Sequence, residues 1–303
     1  MPQNKKILLW KALSLFSLTR GYNIFLIALA QYLAAMFILN PQKDFFSVLS
    51  DYKLFLLILS SSLCIASGYI VNNFYDTEKD RINRPFRTKF DRLISSETQF
   101  RLYFVINLIA VLMAWVISWK AMLFFSGYIF ALWFYSHKIK KYALIGNVFA
   151  TLLMILPFFA ILLYYNKVRF PEVLQYREKH IIVLSYAWFL YMLILIQEFL
   201  KDLFNIKGDF VNKYNTIAVV YGEKTSKRII TLCVFLQLIP LYILTEKMYV
   251  GDLDIYLYLT MFVLSIMLIV LWKLNHRFVY LCMVVVLKIL IFLGIISVIL
   301  MKI

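Results

Sequence analysis

Two segments of this 303-residue chain place carboxylates and amides at the spacing of a helix face. The first carries, at intervals of four residues, Asn72, Asp76 and Asp80. The second carries, at intervals of four, three and four residues, Glu198, Asp202, Asn205 and Asp209. Residues three or four positions apart lie on the same side of a helix, so each segment predicts one acidic stripe. Facing stripes of oxygen ligands favour Mg²⁺, which binds one or two carboxylates together with substrate phosphates.

Basic residues beside these stripes predict the charge of the ligand. They follow the first segment, lie within the second, or separate the fourth and fifth predicted helices: Lys79, Arg81, Arg84, Lys201, Lys207, Lys138, Lys140 and Lys141. Arginine grips a phosphate with a planar fork, whereas lysine supplies a compact charge. Magnesium and these cations together predict that a phosphate or diphosphate group binds between the two segments.

Long apolar helices must position both segments. Hydrophobic residues make up 63% of the chain, and the mean hydropathy of +0.80 exceeds that of ordinary soluble domains. Apolar runs of about 17–25 residues are long enough to cross a bilayer as helices. We predict an all-α integral membrane protein, a bundle of nine transmembrane helices at 21–39, 54–73, 102–119, 121–136, 143–165, 181–199, 229–245, 255–272 and 278–301. Residues 1–303 are expected to form one domain, of which 1–20 is an interfacial N-terminal segment.

Lysine and arginine are unevenly distributed between the predicted loops. With the N-terminus in the cytoplasm, 22 of the 32 Lys and Arg residues fall on the cytoplasmic side, and Lys288 lies inside a span. This excess predicts a cytoplasmic N-terminus and a C-terminus on the opposite side of what we expect to be a bacterial inner membrane. Both acidic segments then lie at cytoplasmic helix ends, in an active site capped by the loops 74–101 and 201–228.

Several other functions receive no support from the residue types. Topology explains much of the net charge of +16, and no motif indicates nucleic-acid binding. The three cysteines are dispersed within predicted spans, the three histidines lack metal-ligand spacing, and the chain has no glycine motif of a phosphate-cradling loop. No obligate protein partner is indicated, and membrane lipids are the expected surroundings.

Both acidic segments resemble the two motifs of the UbiA-type intramembrane prenyltransferases. The first family motif, N-D-x-x-D-x-x-x-D, is matched over 72–80 except that Asn73 replaces an aspartate. The second, K-D-x-x-D-x-x-G-D, is matched over 201–209 with Asn205 in place of the middle aspartate. Within the family, the chain looks most similar to geranylgeranylglycerol-phosphate geranylgeranyltransferase-like members, and the likeness extends over essentially its whole length.

This resemblance implies a Mg²⁺-dependent transfer of an isoprenyl group from an allylic diphosphate to a lipophilic or phosphorylated acceptor, through a carbocation. The implied catalytic residues are Asp76, Asp80, Asp202 and Asp209. The implied metal ligands are Asn72, Asn73, Asp76, Asp80, Asp202, Asn205 and Asp209. Diphosphate contacts are implied for Arg20, Arg84, Lys140 and Lys201. Acceptor or substrate contacts are implied for Asn23, Tyr135, Ser136 and Asn147.

The two asparagines set this chain apart from the family pattern. Asn73 and Asn205 keep a carbonyl oxygen but each removes one negative charge, so we expect metal binding to depend more strongly on the diphosphate. Three functions stay open: a transferase, a membrane terpene cyclase of the same superfamily, and a transporter or non-catalytic membrane subunit. Among transferase acceptors, glycerol-phosphate ethers and quinone precursors are the favoured classes, and the prenyl chain length is not predicted.

Overall fold

A computed structural model of the chain describes residues 3–40, 44–166, 177–248 and 250–301. These ranges form helices α1 to α14, at Gln3–Leu18, Gly21–Leu33, Phe45–Leu49, Tyr52–Asn83, Pro85–Asp91, Ser96–Ile117, Trp119–His137, Ile145–Asn166, Arg177–Val211, Ile217–Val220, Gly222–Leu236, Leu238–Tyr242, Leu253–Lys273 and Arg277–Ser297. Short π- and 3₁₀-helical turns extend α2, α12 and α14, and a 3₁₀ turn at Ile139–Lys141 follows α7. The predicted all-α class is confirmed.

Eight helical segments in these ranges have the length and hydropathy of a membrane span. They are Gly21–Leu39, Tyr52–Asn83, Ser96–Ile117, Ile145–Tyr165, Ile181–Val211, Gly222–Lys247, Leu253–Lys273 and Arg277–Leu300. The remaining predicted span corresponds to α7, a 19-residue helix whose Trp and Tyr side chains lower its hydropathy. The chain is thus a multi-pass integral membrane protein, and the predicted number of nine is approximately right.

Side chains at the helix starts explain where several helices begin. Asp51 accepts hydrogen bonds from the backbone amides of Lys53 and Leu54 and thereby caps α4. Ser95 caps α6 in the same way, and Ser118 caps α7. Such caps satisfy amides that the helix itself leaves without a partner. Ser118 also allows α6 and α7 to turn back on each other within a single residue.

The predicted capping loops 74–101 and 201–228 are largely helical, which corrects the sequence-based expectation. Helix α4 continues ten residues beyond the predicted span, to Asn83, and α9 continues to Val211. A helix satisfies its own backbone groups and need not end where its apolar run ends. The irregular parts of these segments are confined to short turns on either side of α5 and α10.

Helices α4 and α9 each lie at the centre of one half of the bundle. One apolar cluster surrounds α4 with side chains from α6, α7 and α8. The other surrounds α9, whose Phe189, Leu193 and Phe199 are almost fully buried against α11 to α14. Lipid tails are as apolar as these clusters, so close packing holds the helices together and the hydrophobic effect contributes little. Both acidic segments therefore extend from the best-packed helices of the fold.

Helix α1 packs beside α5 at the end of the bundle that carries the acidic segments. The Ser14 hydroxyl donates to the carbonyl of Phe90 at 3.0 Å, and Arg87 donates to the carbonyl of Ser17 at 2.9 Å. Trp10 meets the Phe90 ring edge to face at 6.1 Å and is otherwise exposed. The interfacial position of this helix stays a prediction.

Candidate active site

The two acidic segments face each other and are joined by an ion pair. The Lys79 ammonium on α4 lies 2.6 Å from the Asp209 carboxylate on α9, and Asp209 is fully buried. Asp76 and Asp80 follow along the α4 face, and Asp202 lies two turns before Asp209 on α9. Because unpaired carboxylates so close together would repel, the interleaved lysine is what allows the two stripes to approach.

Asp76 is held by donors from two other parts of the chain. One of its oxygens accepts from the Lys140 ammonium at 2.8 Å and from the Tyr214 hydroxyl at 2.8 Å. Lys140 also donates to the Asn72 amide oxygen at 3.2 Å. Burial lowers the pKa of Lys140 below its ordinary value, although Asp76 opposes the shift. Burial and the charge of Asp76 raise the pKa of Tyr214, so its hydroxyl keeps its proton and donates.

The turns that carry Lys140 and Tyr214 are bound to each other. The Asn215 amide donates to the carbonyl of Lys141 at 2.9 Å. Two residues of these turns, Leu144 and Lys213, adopt left-handed backbone conformations with φ of 62° and 56°. Such conformations are unfavourable for side chains other than glycine and need support from neighbouring structure. The linked turns therefore hold both donors over Asp76.

On α9, Asp202 and Asn205 have different surroundings. The Asn147 amide on α8 donates to Asp202 at 2.8 Å, so this predicted substrate contact lies against a carboxylate. The side-chain oxygen of Asn205 is buried without a hydrogen-bond donor. The Asn83 amide donates to the Asn205 carbonyl at 3.5 Å and lies against Gly208, where no side chain would fit. Glycine in the second motif thus permits close approach of the two helix extensions.

The predicted cations at the mouth of α2 form a separate group. Arg20 precedes α2 in a left-handed conformation with φ of 50°, and its guanidinium lies 4.8 Å from the centre of the Tyr69 ring. The Asn23 amide donates to the Tyr69 hydroxyl at 2.9 Å. The charges of Arg20 and Arg84 both act on Asp80, which places the three groups together. Lys201, also predicted to bind diphosphate, pairs with Glu198 at 2.6 Å.

Two further predicted substrate contacts lie at the end of α7, whereas one predicted metal ligand points away from the site. The charges of Asp76, Asp202 and Arg20 act on the Tyr135 hydroxyl, so this residue lies centrally among the predicted groups. Its neighbour Ser136 is buried. The Asn73 amide donates to Gln99 on α6 at 3.4 Å, and the residue thus faces a different helix from the other predicted ligands.

Three residues near the site were not among those predicted to act in it. Tyr214 lies in a turn with no motif, and nothing in the sequence marks it. Glu198 begins the second acidic stripe but matches no position of the family motif. Lys288 lies inside α14, where its ammonium is 5.9 Å from the centre of the Tyr22 ring. A lysine within an apolar span is a signal that could have been used.

The donor set fits Mg²⁺ that is completed by substrate. All candidate ligands are carboxylate or amide oxygens, and the Asn205 oxygen is buried without a donor. In the described part of the chain, no three acidic, histidine or cysteine side chains converge enough to hold a metal by themselves. Mg²⁺ in proteins commonly takes only one or two carboxylates and fills its shell with water and phosphate oxygens. A magnesium-diphosphate complex therefore suits this arrangement better than the metal alone.

Comparison with known proteins gives one family match and several relatives. The model of the UbiA prenyltransferase family matches residues 28–279. Digeranylgeranylglyceryl phosphate synthase of Sulfurisphaera tokodaii is 29% identical over 194 residues, 63% of this chain and 66% of the relative. The corresponding enzyme of Sulfolobus acidocaldarius is 30% identical over 193 residues, 62% of this chain and 66% of the relative. The chain thus spans just under two thirds of the length of these relatives.

Solved structures resemble the whole bundle. A UbiA homolog from Aeropyrum pernix K1 has a TM-score of 0.68 at 16% identity, covering 91% of this chain and 98% of the homolog. A UbiA homolog from Archaeoglobus fulgidus, bound to GPP and Mg²⁺, has a TM-score of 0.65 at 14% identity. The match covers 94% of this chain and 99% of the homolog. At these identities the likeness establishes the fold.

Proposed function

Because this chain belongs to the UbiA prenyltransferase family, we propose that it transfers the isoprenyl group of an allylic diphosphate to a phosphorylated lipid acceptor. The family match confirms the resemblance of the chain to the UbiA-type prenyltransferases. One observation carries the proposal: Lys79 of the first segment pairs with Asp209 of the second. This pair unites the two motifs in a single charged site, flanked by Lys140 and Arg20, that can receive a diphosphate.

The charged residues have distinct tasks in this proposal. Lys140 and Lys79 each hold a carboxylate that is also a candidate metal ligand. As the diphosphate enters, both ammonium groups exchange the carboxylate for phosphate oxygens, to which lysine binds as a compact charge. Arg20 and Arg84 add further positive charge beside Asp80. Mg²⁺ would be held by one or two carboxylates from among Asp76, Asp80, Asp202 and Asp209, together with the Asn205 oxygen, and would supply Lewis-acid stabilisation of the leaving diphosphate.

Bond cleavage and bond formation involve one carbon. The bond between the allylic carbon and the diphosphate oxygen breaks, and its electron pair leaves with the diphosphate. The allylic carbon then bonds to the acceptor hydroxyl oxygen, which gives its proton to the released diphosphate. Cations that stabilise the developing negative charge lower the barrier without reorganising, because the protein fixes them in advance. We assign the stabilisation of this cation to the aromatic ring of Tyr135, whose hydroxyl lies within the electrostatic influence of Asp76 and Asp202.

Water must be kept from the allylic cation, which it would otherwise capture. The turn at Ile139–Lys141 and the turn holding Tyr214 lie over Asp76 and are joined by the bond between Asn215 and Lys141. We assign to these turns the capping role first expected of longer loops. Tyr214 supports this role because its hydroxyl donates to the carboxylate it covers.

The acceptor is the finer part of the proposal. The two relatives described above are named digeranylgeranylglyceryl phosphate synthases, which favours a glycerol-phosphate ether lipid over a quinone precursor. A terpene cyclase would need no acceptor, because a double bond of the substrate itself captures the cation.

Product analysis tests the proposal. Purified protein is incubated with Mg²⁺, one of several C10–C20 prenyl diphosphates, and either a glycerol-phosphate ether lipid or an aromatic quinone precursor. We expect released diphosphate together with an acceptor whose mass has increased by one prenyl unit. A cyclic hydrocarbon formed without acceptor would show that the protein is a cyclase and not a transferase. If no substrate gave Mg²⁺-dependent release of diphosphate, both functions would be rejected.

A further inference from the structure

Lys288 is a charged residue in the middle of a membrane helix. It is the twelfth residue of α14, at roughly 16 Å along the helix from Arg277. Charged side chains within a span are costly unless they reach a partner or a polar region, and they commonly mark a pathway or a binding site. The Lys288 ammonium reaches the first turn of α2, beside Tyr22. Lys288 contributes nothing to the core, because the buried side of α14 is formed by its apolar neighbours Met283, Leu287 and Leu290.

The surroundings of Lys288 contain more positive than negative charge. Among the described residues it forms no ion pair. The groups that act on it electrostatically include Tyr22 and three other cations, Lys201, Arg20 and Arg84. The carboxylates near this group are Asp80, beside Arg84, and Glu198, which already pairs with Lys201. Lys288 is therefore available to bind an anion such as a phosphate monoester.

The position of this charge also indicates the side from which its partner comes. Lys288 lies at the seam between α2 and α14, with its ammonium 5.9 Å from the centre of the Tyr22 ring. Both Lys288 and Tyr22 are exposed at the surface of the bundle, where 46% of Tyr22 is accessible. An exposed surface at the seam between two spans opens to the lipid or to the cavity inside the bundle. An anion carried by a lipid can therefore reach Lys288 by sliding between α2 and α14.

We propose that Lys288 binds the phosphate monoester of the acceptor lipid, so that the headgroup is anchored beside Arg20 while its hydroxyl points to the diphosphate site. This inference rests on the proposed transferase function and deepens it by assigning the acceptor phosphate to a residue outside both motifs. The donor diphosphate has the same chemistry, but in the proposed function it binds to Lys140 and Lys79, with Arg20 and Arg84 adding charge beside Asp80. Lys288 thereby becomes a residue that selects phosphorylated acceptors.

The test compares Lys288→Met with Lys288→Arg and with a matched control, Lys120→Met. Methionine keeps the length of the side chain and is favourable inside a membrane. Lys120 lies at the other end of the bundle, next to Trp119. Initial rates are measured with geranylgeranyl diphosphate and two acceptors: a glycerol-phosphate ether lipid and the same lipid without its phosphate. Binding of the radiolabelled phosphorylated lipid to each variant is measured in parallel, without donor.

We expect Lys288→Met to raise the KM of the phosphorylated acceptor about tenfold or more, and to weaken its binding equally, because a charge-assisted contact is lost. The donor KM and the rate with the dephosphorylated lipid should match those of Lys120→Met, and Lys288→Arg should restore most of the acceptor affinity. An unchanged acceptor KM, a rise in the donor KM instead, or an equal loss with both lipids would overturn the inference. Wild-type protein that uses neither lipid would instead contradict the proposed function.

Discussion

At the scale of single residues, the site is organised by cations that hold carboxylates. Lys140 and Tyr214 both contact one oxygen of Asp76, and they lie 64 and 138 positions away from it in the sequence. Lys79 pairs with Asp209 across the two helices. Each ion pair occupies one oxygen of its carboxylate and competes with a metal for the negative charge of that group. Metal and diphosphate should therefore bind together, since the phosphate oxygens compensate the lysines that are displaced.

The clearest prediction at this scale concerns Asp76. Asp76→Asn removes the charge that faces Lys140 while keeping the shape of the side chain, and we expect diphosphate release to fall by about 10²-fold or more. The control is Glu78→Gln, two residues away on the solvent-facing side of α4, where Glu78 pairs with Arg81. Turnover is measured at saturating Mg²⁺ with equal amounts of membrane-inserted protein. Comparable rates for the two variants would show that Asp76 does not belong to the active site.

The two asparagines make a matched pair for a second prediction. Asn205 has a buried oxygen without a donor, whereas Asn73 donates to Gln99. Asn205→Asp adds negative charge among the candidate ligands, so we expect the Mg²⁺ concentration for half-maximal rate to fall several-fold. Asn73→Asp should leave that concentration nearly unchanged. The reverse order in a Mg²⁺ titration would assign the metal to Asn73.

At the scale of helices, sequence and structure agree where a local pattern decides the outcome. The apolar runs predict the spans, and the intervals of the acidic residues predict the face of α4 and of α9 that carries them. The extensions of these helices were missed because hydropathy reports where the membrane ends and says nothing of where the helix ends. Tyr214 could not be predicted, since its role depends on how the turn after α9 packs against the turn after α7.

Close approach of the two helix extensions leads to a third prediction. A Cβ atom at Gly208 would lie 2.3 Å from the Asn83 amide nitrogen, so Gly208→Ala should cost about 1–3 kcal/mol of stability and reduce turnover. Removing the clash in the double variant Asn83→Ala/Gly208→Ala should recover part of the lost stability. Gly127→Ala is the control, because nothing lies within 4 Å of its Cβ position. The stability of all three variants is measured by thermal unfolding in detergent.

Equal unfolding temperatures for Gly208→Ala and Gly127→Ala would show that α4 and α9 do not depend on this contact. If the double variant unfolded at the same temperature as Gly208→Ala alone, Asn83 would not be the obstructing group.

At the scale of the whole molecule, the two halves of the bundle each contribute one acidic helix. The core around α4 and the core around α9 are separate apolar clusters, and the site lies where their central helices meet. Rigid packing of each half fixes the stripe it carries, which is the preorganisation that electrostatic catalysis requires. The distribution of basic residues further predicts that this site faces the cytoplasm.

Orientation provides a fourth prediction. An odd number of spans with a cytoplasmic N-terminus places the C-terminus on the opposite side of the membrane. A fluorescent protein that is active only in the cytoplasm should give a signal when it is fused to the N-terminus. A phosphatase that is active only outside the cytoplasm should give a signal when it is fused to the C-terminus. Cysteines introduced at Lys89 and Lys213, near the acidic segments, should be labelled only from the cytoplasmic side. Labelling of these cysteines from outside would show that the protein has the opposite orientation in the membrane.

The most direct test of the central claim is the binding of a non-reactive prenyl thiodiphosphate to wild-type protein, Asp76→Asn and Asp209→Asn, with and without Mg²⁺. If α4 and α9 form one magnesium-diphosphate site, wild-type protein binds the analogue tightly only with Mg²⁺, and each single variant loses about tenfold or more of this affinity. Binding that needs no Mg²⁺, or that survives in either variant, would contradict a site shared by the two helices.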